Sequence, residues 1–524
     1  MKRRTFVGAA AAALAAPSVV QAQNKRVLKF VPDADLAILD PVITTSYQTR
    51  DHGYMVFDSL YGQDDEYRIQ PQMAAGHVVE DDGKTWKISL RDGLVFHDGE
   101  RVLAKDCVAS INRWGKRDSF GQALMTMVNE IDAPDDRTIR FRMKQPFALL
   151  PDALGHYSPN MLPIMPVRLA GTDPSKQVTE MVGSGPFRFK ADERVAGSRV
   201  VYEKFDKYVP RNEVAQRTAG GKMVHFDRVE WHIIPDVSAV GNALVQGEID
   251  WWGTPNADLR PVLAKARGVK LFTMVPTGTI ATMRFNQLQA PFDNPAIRRA
   301  IVHAVAQSDY MIAIQGDDKA TWREGVGYFC PDTPMASQAG MENLTAKRDL
   351  DAVKKELAEA GYKGEKVVLL APQDIPSTKA IAEVSFDLFK KIGLNVEAQA
   401  MDWATVVQRR TKQDPVDQGG WSVFHTSWGG VDQFNPAVHA FLRGNGKQGI
   451  MGWPMSPTIE ALRAEWLLAP DLAAQKKVCE TLQLQAFKDV PYIPLGQVLA
   501  QSAHRADLQG VLTGLPAFWN VRRG

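Results

Sequence analysis

Residues 85–114, TWKISLRDGLVFHDGERVLAKDCVASINRW, switch between two structural periods within thirty positions. Thr85–Leu90 reads as a strand, an Asp-Gly turn follows, and Leu94–Phe96 reads as a second short strand. A second Asp-Gly turn, Asp98-Gly99, leads into a helix. Its apolar positions Val102, Val108, Ile111 and Trp114 are spaced to give one buried stripe. The segment is therefore a compact β-turn-β-turn-helix unit.

Working outward, Arg26–Val31 alternates like a strand and runs into the helix breaker Asp40-Pro41, and Tyr54–Leu60 reads as helix. Ile131–Pro134 and Thr138–Met143 form a hairpin around Asp135-Asp136. Phe187–Lys190, Arg199–Lys204, Phe226–Ile234 and Ile249–Trp252 read as strands, with a helix capped by Asp236 running through Gln246. From Val269 onward strands and helices alternate. Val269–Val275 and Ile280–Asn286 are strands, and Asn294-Pro295 opens helix Ala296–Ala306 with a cap and a first-turn proline. Asp349–Gly361 is an amphipathic helix, and Val367–Ala371, Asn395–Ala400 and Trp421–Trp428 are strands separated by helices Ile381–Ile392 and Ala404–Arg410. Such alternation predicts an α/β unit with a largely parallel sheet. The closing apolar segment Tyr492–Val498 is expected to return to the first half as one of two crossing strands. The expected division is 23–275 plus 491–524 for a first lobe, with about 51–180 an extra subdomain, and 276–490 for a second lobe. Two lobes joined by two crossings make a hinge able to close over a ligand.

The chain has 524 residues, 62 basic and 60 acidic, and 45% hydrophobic residues. Met1-Lys2-Arg3-Arg4, the alanine-rich run Phe6–Val20 and Val20-Gln21-Ala22 form the three parts of a signal peptide over residues 1–22. The apolar run is shorter than the roughly 20 residues of a spanning helix and contains Pro17. Lys2-Arg3-Arg4-Thr5-Phe6-Val7 resembles a twin-arginine signal, with Lys2 where Ser or Thr is usual, so Sec and twin-arginine export both stay open. No lipobox cysteine accompanies the cleavage site, so a free periplasmic protein is expected. Cleavage takes the basic count from 62 to 59 against 60 acidic residues, which gives no electrostatic case for nucleic acid or an anionic membrane. Cys107, Cys330 and Cys479 allow at most one disulfide, and Cys107 and Cys479 sit in helical patterns as buried apolar residues.

Five further blocks, in order, resemble the family 5 extracellular solute-binding proteins, the receptors of peptide, nickel and opine ABC importers. They are Ser59-Leu60-Tyr61 through Met73-Ala74; Gly183-Ser184-Gly185-Pro186-Phe187; Phe285-Asn286 with Pro291-Phe292-Asp293-Asn294 and Ile297-Arg298-Arg299-Ala300; Leu357 to Tyr362; and Pro491-Tyr492-Ile493-Pro494-Leu495. Residues 85–114 match the family signature, so the likeness runs from about residue 27 to 498. It implies a two-lobed, three-domain, type II periplasmic-binding-protein fold with the ligand in the interlobe cleft. It also implies delivery of the solute to ABC permease subunits in the inner membrane, by a monomer that catalyses nothing and holds no cofactor.

The resemblance puts the best site candidates in Trp428-Gly429-Gly430-Val431-Asp432, where the family has an aromatic followed by a ligand-contacting Asp. That Asp pairs with the amino group in peptide receptors, and here it falls one residue later. Asp432 could equally be a turn residue before Asn435-Pro436, and Trp428 a core residue. Trp251 and Trp252 are neighbours in a strand and face opposite sides, with Trp252 the candidate pocket floor. Tyr47 stands in the loop after Asp40-Pro41. Arg284, beside Asn286 near the hinge, could bind a carboxylate bidentately or serve a structural ion pair. Arg298-Arg299 is expected to be a solvated or interlobe pair, and His156-Tyr157 is a further candidate.

Gly444-Asn445-Gly446-Lys447-Gln448-Gly449 fits GxGxxG, but a helical run at Ala437–Leu442 precedes it and no helix start follows. No GxSxG, HExxH or paired-cysteine motif exists, and the ten histidines do not cluster at metal-ligand spacing. The expected function is periplasmic capture of a peptide-like or other small amphipathic solute. A secreted hydrolase with a dispersed active site, which would consume its ligand, and a peptide-holding chaperone, which would bind unfolded chains, are the alternatives.

Overall fold

The computed structural model describes residues 26–157 and 160–524, so the signal peptide expected over 1–22 lies outside the described residues. The 85–114 unit forms as its pattern predicts at both ends. Thr85–Leu90 pairs antiparallel with Ala74–Glu80 and with Thr138–Met143, and Val128–Asp132 completes a four-stranded sheet. Helix Ala104–Trp114 follows, with Asp106 accepting from the Leu103 N–H at 2.9 Å. Two local expectations change. Leu94–Phe96 shrinks to one bridge, Val95 to Arg101. On the helix, Cys107 is fully buried while Val108 is only partly so.

Seven strands make the first large sheet, in the order Val269–Thr273, Gln501–Arg505, Trp251–Trp252, Val27–Val31, Arg228–His232, Arg199–Lys204, Phe187–Phe189. Val27–Val31 runs parallel to both of its neighbours. The second sheet has six strands: Trp322–Arg323, Ile493–Val498, Thr279–Phe285, Val423–Gly429, Lys366–Pro372 and Asn395–Met401. Each sheet carries its own helices, and the two lobes meet along a cleft.

Four expectations are corrected here. The second sheet is mixed. Lys366–Pro372 is parallel to its two neighbours, whereas Thr279–Phe285 is antiparallel to both Val423–Gly429 and Ile493–Val498. An alternating βα pattern specifies connections but leaves the direction of strands that meet across long separations open. Ile493–Val498 stays in the second lobe, because all six of its residues are buried and need a partner on each side. The return crossing comes later, at Leu499-Ala500, before Gln501–Arg505 joins the first sheet. The early helix spans Tyr47–Val56 instead of Tyr54–Leu60. Phe57 and Leu60 are as buried as Tyr54 and Val56, and a uniformly buried run has no period to mark where a helix stops. The turn at Ala440–Leu442 is a single 3-10 turn, less than the helical run expected there.

The lobes are thus joined at 274–278 and 499–500, side by side. Gly278 sits at φ +49°, and a Cβ there would stand 2.1 Å from the Val498 carbonyl oxygen, where the strand passes into the other connector. Only glycine lets the two crossings pack this closely. The three cysteines are free and buried, with Cys330 beside the first connector, its thiol directed at the Thr277 carbonyl at 3.7 Å.

Burial of histidines gives the fold a pH dependence. It pushes His52, His425 and His439 down to about 3 and His97 down to about 4. The unfolded chain takes up these protons near pH 6.5, and the folded one only far below. The unfolded state then binds more protons, so stability is complete above pH 6.5 and declines as pH falls beneath it. Each histidine contributes about 1.4 kcal/mol per pH unit in that window. Asp51, Asp152 and Asp432, pushed up to about 6 by burial, offset part of this. The expected result is a melting temperature that drops steadily from pH 7 to pH 5 in calorimetry. A flat profile would contradict it.

Candidate functional site: the interlobe cavity

Parallel strands leave their carboxyl ends on one edge of a sheet, where chain direction changes and ligands find a crevice. Val27–Val31 and Trp251–Trp252 end together, delivering Pro32-Asp33 and Gly253-Thr254 to the same rim. There they border a cavity of about 140 Å³ between the lobes. Helix Tyr47–Val56 brings Tyr47, Arg50 and Asp51 to the same side, at the i, i+3, i+4 spacing of one helix face. The connectors contribute Met274, Val275, Gly278 and Ala500, and the second lobe contributes Gly429 and Val431. Phe30, Trp231, Met274, Val275 and Val431 make much of the wall apolar.

The polar part is ordered by a stack. The Arg50 guanidinium lies 4.7 Å from the Tyr47 ring centre and 4.5 Å from that of Tyr157, both within cation–π range. Its Nε and Nη2 donate to Asp51 Oδ1 at 2.9 and 2.8 Å. Arg50 is 5% exposed and Asp51 8%. Desolvation raises the Asp51 carboxyl to about 6 against the pull of Arg50, and the nearby Asp33 charge adds to the rise. Asp33 is exposed at the edge of the cavity, and partial desolvation there raises its carboxyl. Its Oδ2 accepts from Thr254 Oγ1 at 3.1 Å.

Across the cleft, the Tyr47 hydroxyl joins the lobes. It donates to Asp432 Oδ2 at 2.6 Å and accepts from the Gly429 N–H at 2.7 Å. Gly429 leaves the space for this contact, since a Cβ there would stand 2.8 Å from the hydroxyl oxygen. Asp432 is 3% exposed, its Oδ1 has no hydrogen-bond partner, and burial raises its carboxyl to about 6.

Of the residues singled out in the sequence, the structure brings Tyr47, Gly429 and Asp432 together, with Tyr47 opening a helix instead of standing in a loop. Tyr157 lines the cavity, while neighbouring His156 faces Asp118 and the Ala153 carbonyl. The other candidates are placed elsewhere. Trp428 precedes Gly429 in its strand and so faces the opposite side, packed 4.2 Å from Phe441. Gly430 is needed for packing, because a Cβ would sit 2.1 Å from the Thr277 oxygen. Trp252 fills a small core with Val240, Leu244 and Leu263, Trp251 the opposite core. Arg284 is fully buried, lies over Phe441 and donates to the carbonyls of Phe441, Pro491 and Met451. Burial lowers it to about 9; it lies away from the cavity lining, and among the described residues no carboxylate pairs with it. Asn286 ties Trp421 to Leu288. Arg298 is buried within the second lobe, bonded to the carbonyls of Phe292 and Val490.

Asp33, Arg50, Asp51 and Trp231 were not anticipated. The one usable signal is Arg50-Asp51, a charged pair set at helical spacing from Tyr47. Among the described residues no three His, Cys, Asp or Glu side chains gather where they could hold a metal ion, and no helix is long and apolar enough to cross a membrane.

Two sheet-based lobes, two adjacent crossings and a cavity walled from both sides define a venus-flytrap solute-binding protein. Residues 68–449 match the bacterial extracellular solute-binding proteins, family 5, and the chain belongs to that family. It is 37% identical, over 98% of its own length and 97% of the other's, to a probable peptide ABC transporter periplasmic-binding protein, y4tO, of Sinorhizobium fredii. AgaA of A. tumefacien R10, solved with agropinic acid, shares the fold at a TM-score of 0.77 and 22% identity, over 95% of this chain and 99% of that one. A dipeptide-binding protein of Pseudoalteromonas sp. SM9913, solved with Met-Leu, does so at 0.76 and 19%, over 95% and 100%. The protein is a periplasmic solute-binding receptor of an ABC importer.

Proposed function

We propose that the solute is a peptide or peptide-like molecule of about dipeptide size, held in the interlobe cavity and passed to permease subunits in the inner membrane. The observation that carries this is the cavity itself, placed where the two connectors cross and lined from both lobes. A ligand there touches both walls and favours the closed arrangement through that differential contact. At about 140 Å³ the space is below the roughly 300–1,000 Å³ of drug-sized sites, which favours a small solute over a long peptide. The Sinorhizobium relative, named for peptide transport, supports the same class. In this reading the receptor is a monomer without catalytic activity, exported by a Sec or twin-arginine signal at 1–22 and not lipid-anchored. Tyr47 and Gly429 border the ligand, Asp432 stands behind them on the Tyr47 hydroxyl, and the lobe boundaries fall at 274–278 and 499–500.

Native mass spectrometry of protein from the periplasm tests the reading. A small amine- or amide-containing solute should ride with the folded protein, leave on denaturation with its mass unaltered, and contract the scattering envelope when added back. Conversion of that solute during incubation would mean a hydrolase, and selective retention of unfolded chains a chaperone.

A further inference from the structure

Asp432 belongs to the second lobe, in the 3-10 turn Gly430–Gln433, yet part of what covers it comes from the first. The Tyr47 hydroxyl donates to its Oδ2 at 2.6 Å, and with the lobes together the residue is 3% exposed. Its Oδ1 is buried and accepts no hydrogen bond among the described residues. A buried carboxylate with one bare oxygen is costly, and a proton on that oxygen removes the charge where no donor reaches it. When the lobes part, Tyr47 leaves with the first lobe and the carboxylate meets water.

Closing therefore strips water from Asp432 and, at the same time, brings the first lobe's cations toward it. Burial disfavours the ion; the Tyr47 hydroxyl, Arg50, the Gly429 N–H and His156 all favour it, and burial outweighs the four, leaving the carboxyl at about 6. Both cations are already engaged, Arg50 with Asp51 at 2.8 Å and His156 with Asp118 at 3.4 Å and beside Asp152. Neither serves Asp432 as a full counter-ion. The Cys330 thiol, the remaining titratable neighbour, is pushed up to about 12 by burial and stays neutral.

We propose that lobe closure is coupled to protonation of Asp432: the closed receptor takes up one proton from solvent on Oδ1 and returns it on opening, so acid favours capture and a rise in pH favours release. In water the carboxyl titrates near its ordinary 3.8 and in the closed arrangement near 6. Between those values the closed state binds more protons than the open one, so its share grows as pH falls. The closed-to-open ratio should rise about fourfold from pH 7.5 to 5.5 and about tenfold by pH 5. Closure thus gains in the range where the buried histidines weaken the fold. The inference rests on the two-lobed receptor and is independent of which solute is carried.

The test uses the full mature protein without solute, carrying donor and acceptor dyes on Lys265→Cys in the first lobe and Lys355→Cys in the second. Both positions are exposed, while the native cysteines are buried. Single-molecule energy transfer reads the closed-to-open ratio across pH 7.5 to 5, and circular dichroism checks that the chain stays folded. The ratio should rise about tenfold. Asp432→Asn, which keeps the shape and removes the titration, should flatten the response, whereas Asp51→Asn and His156→Gln should retain it. Tyr47→Phe, which keeps the carboxyl, should move the midpoint to higher pH, because the ionised form loses its hydrogen bond. A ratio that stays level or falls in acid overturns the inference. So does a rise that survives Asp432→Asn, one abolished by Asp51→Asn or His156→Gln, or a midpoint that Tyr47→Phe leaves in place.

Discussion

Tyr47→Phe is expected to weaken ligand binding by one to two orders of magnitude while leaving the melting temperature of the ligand-free protein almost unchanged. The hydroxyl makes its two hydrogen bonds, to Asp432 Oδ2 and from the Gly429 N–H, with the second lobe only. In an open arrangement all three groups meet water, so the loss is felt in the closed state alone. There it leaves a buried carboxylate and a buried N–H unpaired, at about 1–3 kcal/mol for each orphaned group. Since every 1.4 kcal/mol is a factor of ten in the equilibrium, the affinity loss follows. Paired titration calorimetry and differential scanning calorimetry separate the two effects. A melting temperature that fell in step with affinity would show that the contact holds the resting fold together and is no closure device.

Arg113→Met is expected to be the most destabilising single change away from the cleft, by about 3–5 kcal/mol. Arg113 lies in the last turn of the helix of the 85–114 unit, and its guanidinium grips Asp40 bidentately, Nη2 to Oδ2 at 2.6 Å and Nη1 to Oδ1 at 3.2 Å. It also reaches the carbonyls of Thr172 and Lys176. Asp40 in turn accepts from the N–H groups of Val42 and Val178. Both ends of the pair are buried, at 3% and 0% exposure, so removing the cation strands a carboxylate away from water. At roughly 2 °C per kcal/mol for a chain this long, the melting temperature should fall by about 5–10 °C. Asp40→Asn combined with Arg113→Met should recover part of that loss, because the double change removes the stranded charge. A single variant within 1 °C of the parent would refute the account.

Neither pair is visible in a linear reading. Asp40 and Arg113 are 73 positions apart, Tyr47 and Asp432 are 385, and nothing in the spacing of either member names its partner. Asp40-Pro41 reads as a helix breaker, which is its local chemistry; its role as the anchor of the signature helix is purely tertiary. Asp432 drew notice by resemblance, with a turn as the local alternative. It proves to be a buried acceptor at the interlobe contact, a role that exists only when the lobes are together.

Caps show the opposite case. Asp236 accepts from Ser238 and Ala239, Asn294 from Ala296, and Asp349 from Asp351 and Ala352. All of these bonds close within three residues, so the chain carries the full information for them. The alternation that separates Trp251 from Trp252 is equally local, and each ring does enter a different core. It could not say which face borders a cavity, and in fact neither ring does so as the sequence led one to expect.

By itself the sequence determined the elements, their ends where a side chain caps its own helix, the family and thus the two-lobed receptor. Those features depend on contacts between near neighbours or on an ordered set of blocks. Only the tertiary structure decided the direction of strands in the second sheet, the late return at Leu499-Ala500, and the composition of the cavity wall. Each of these depends on groups distant along the chain competing for the same buried space, and burial is a property of the assembled fold.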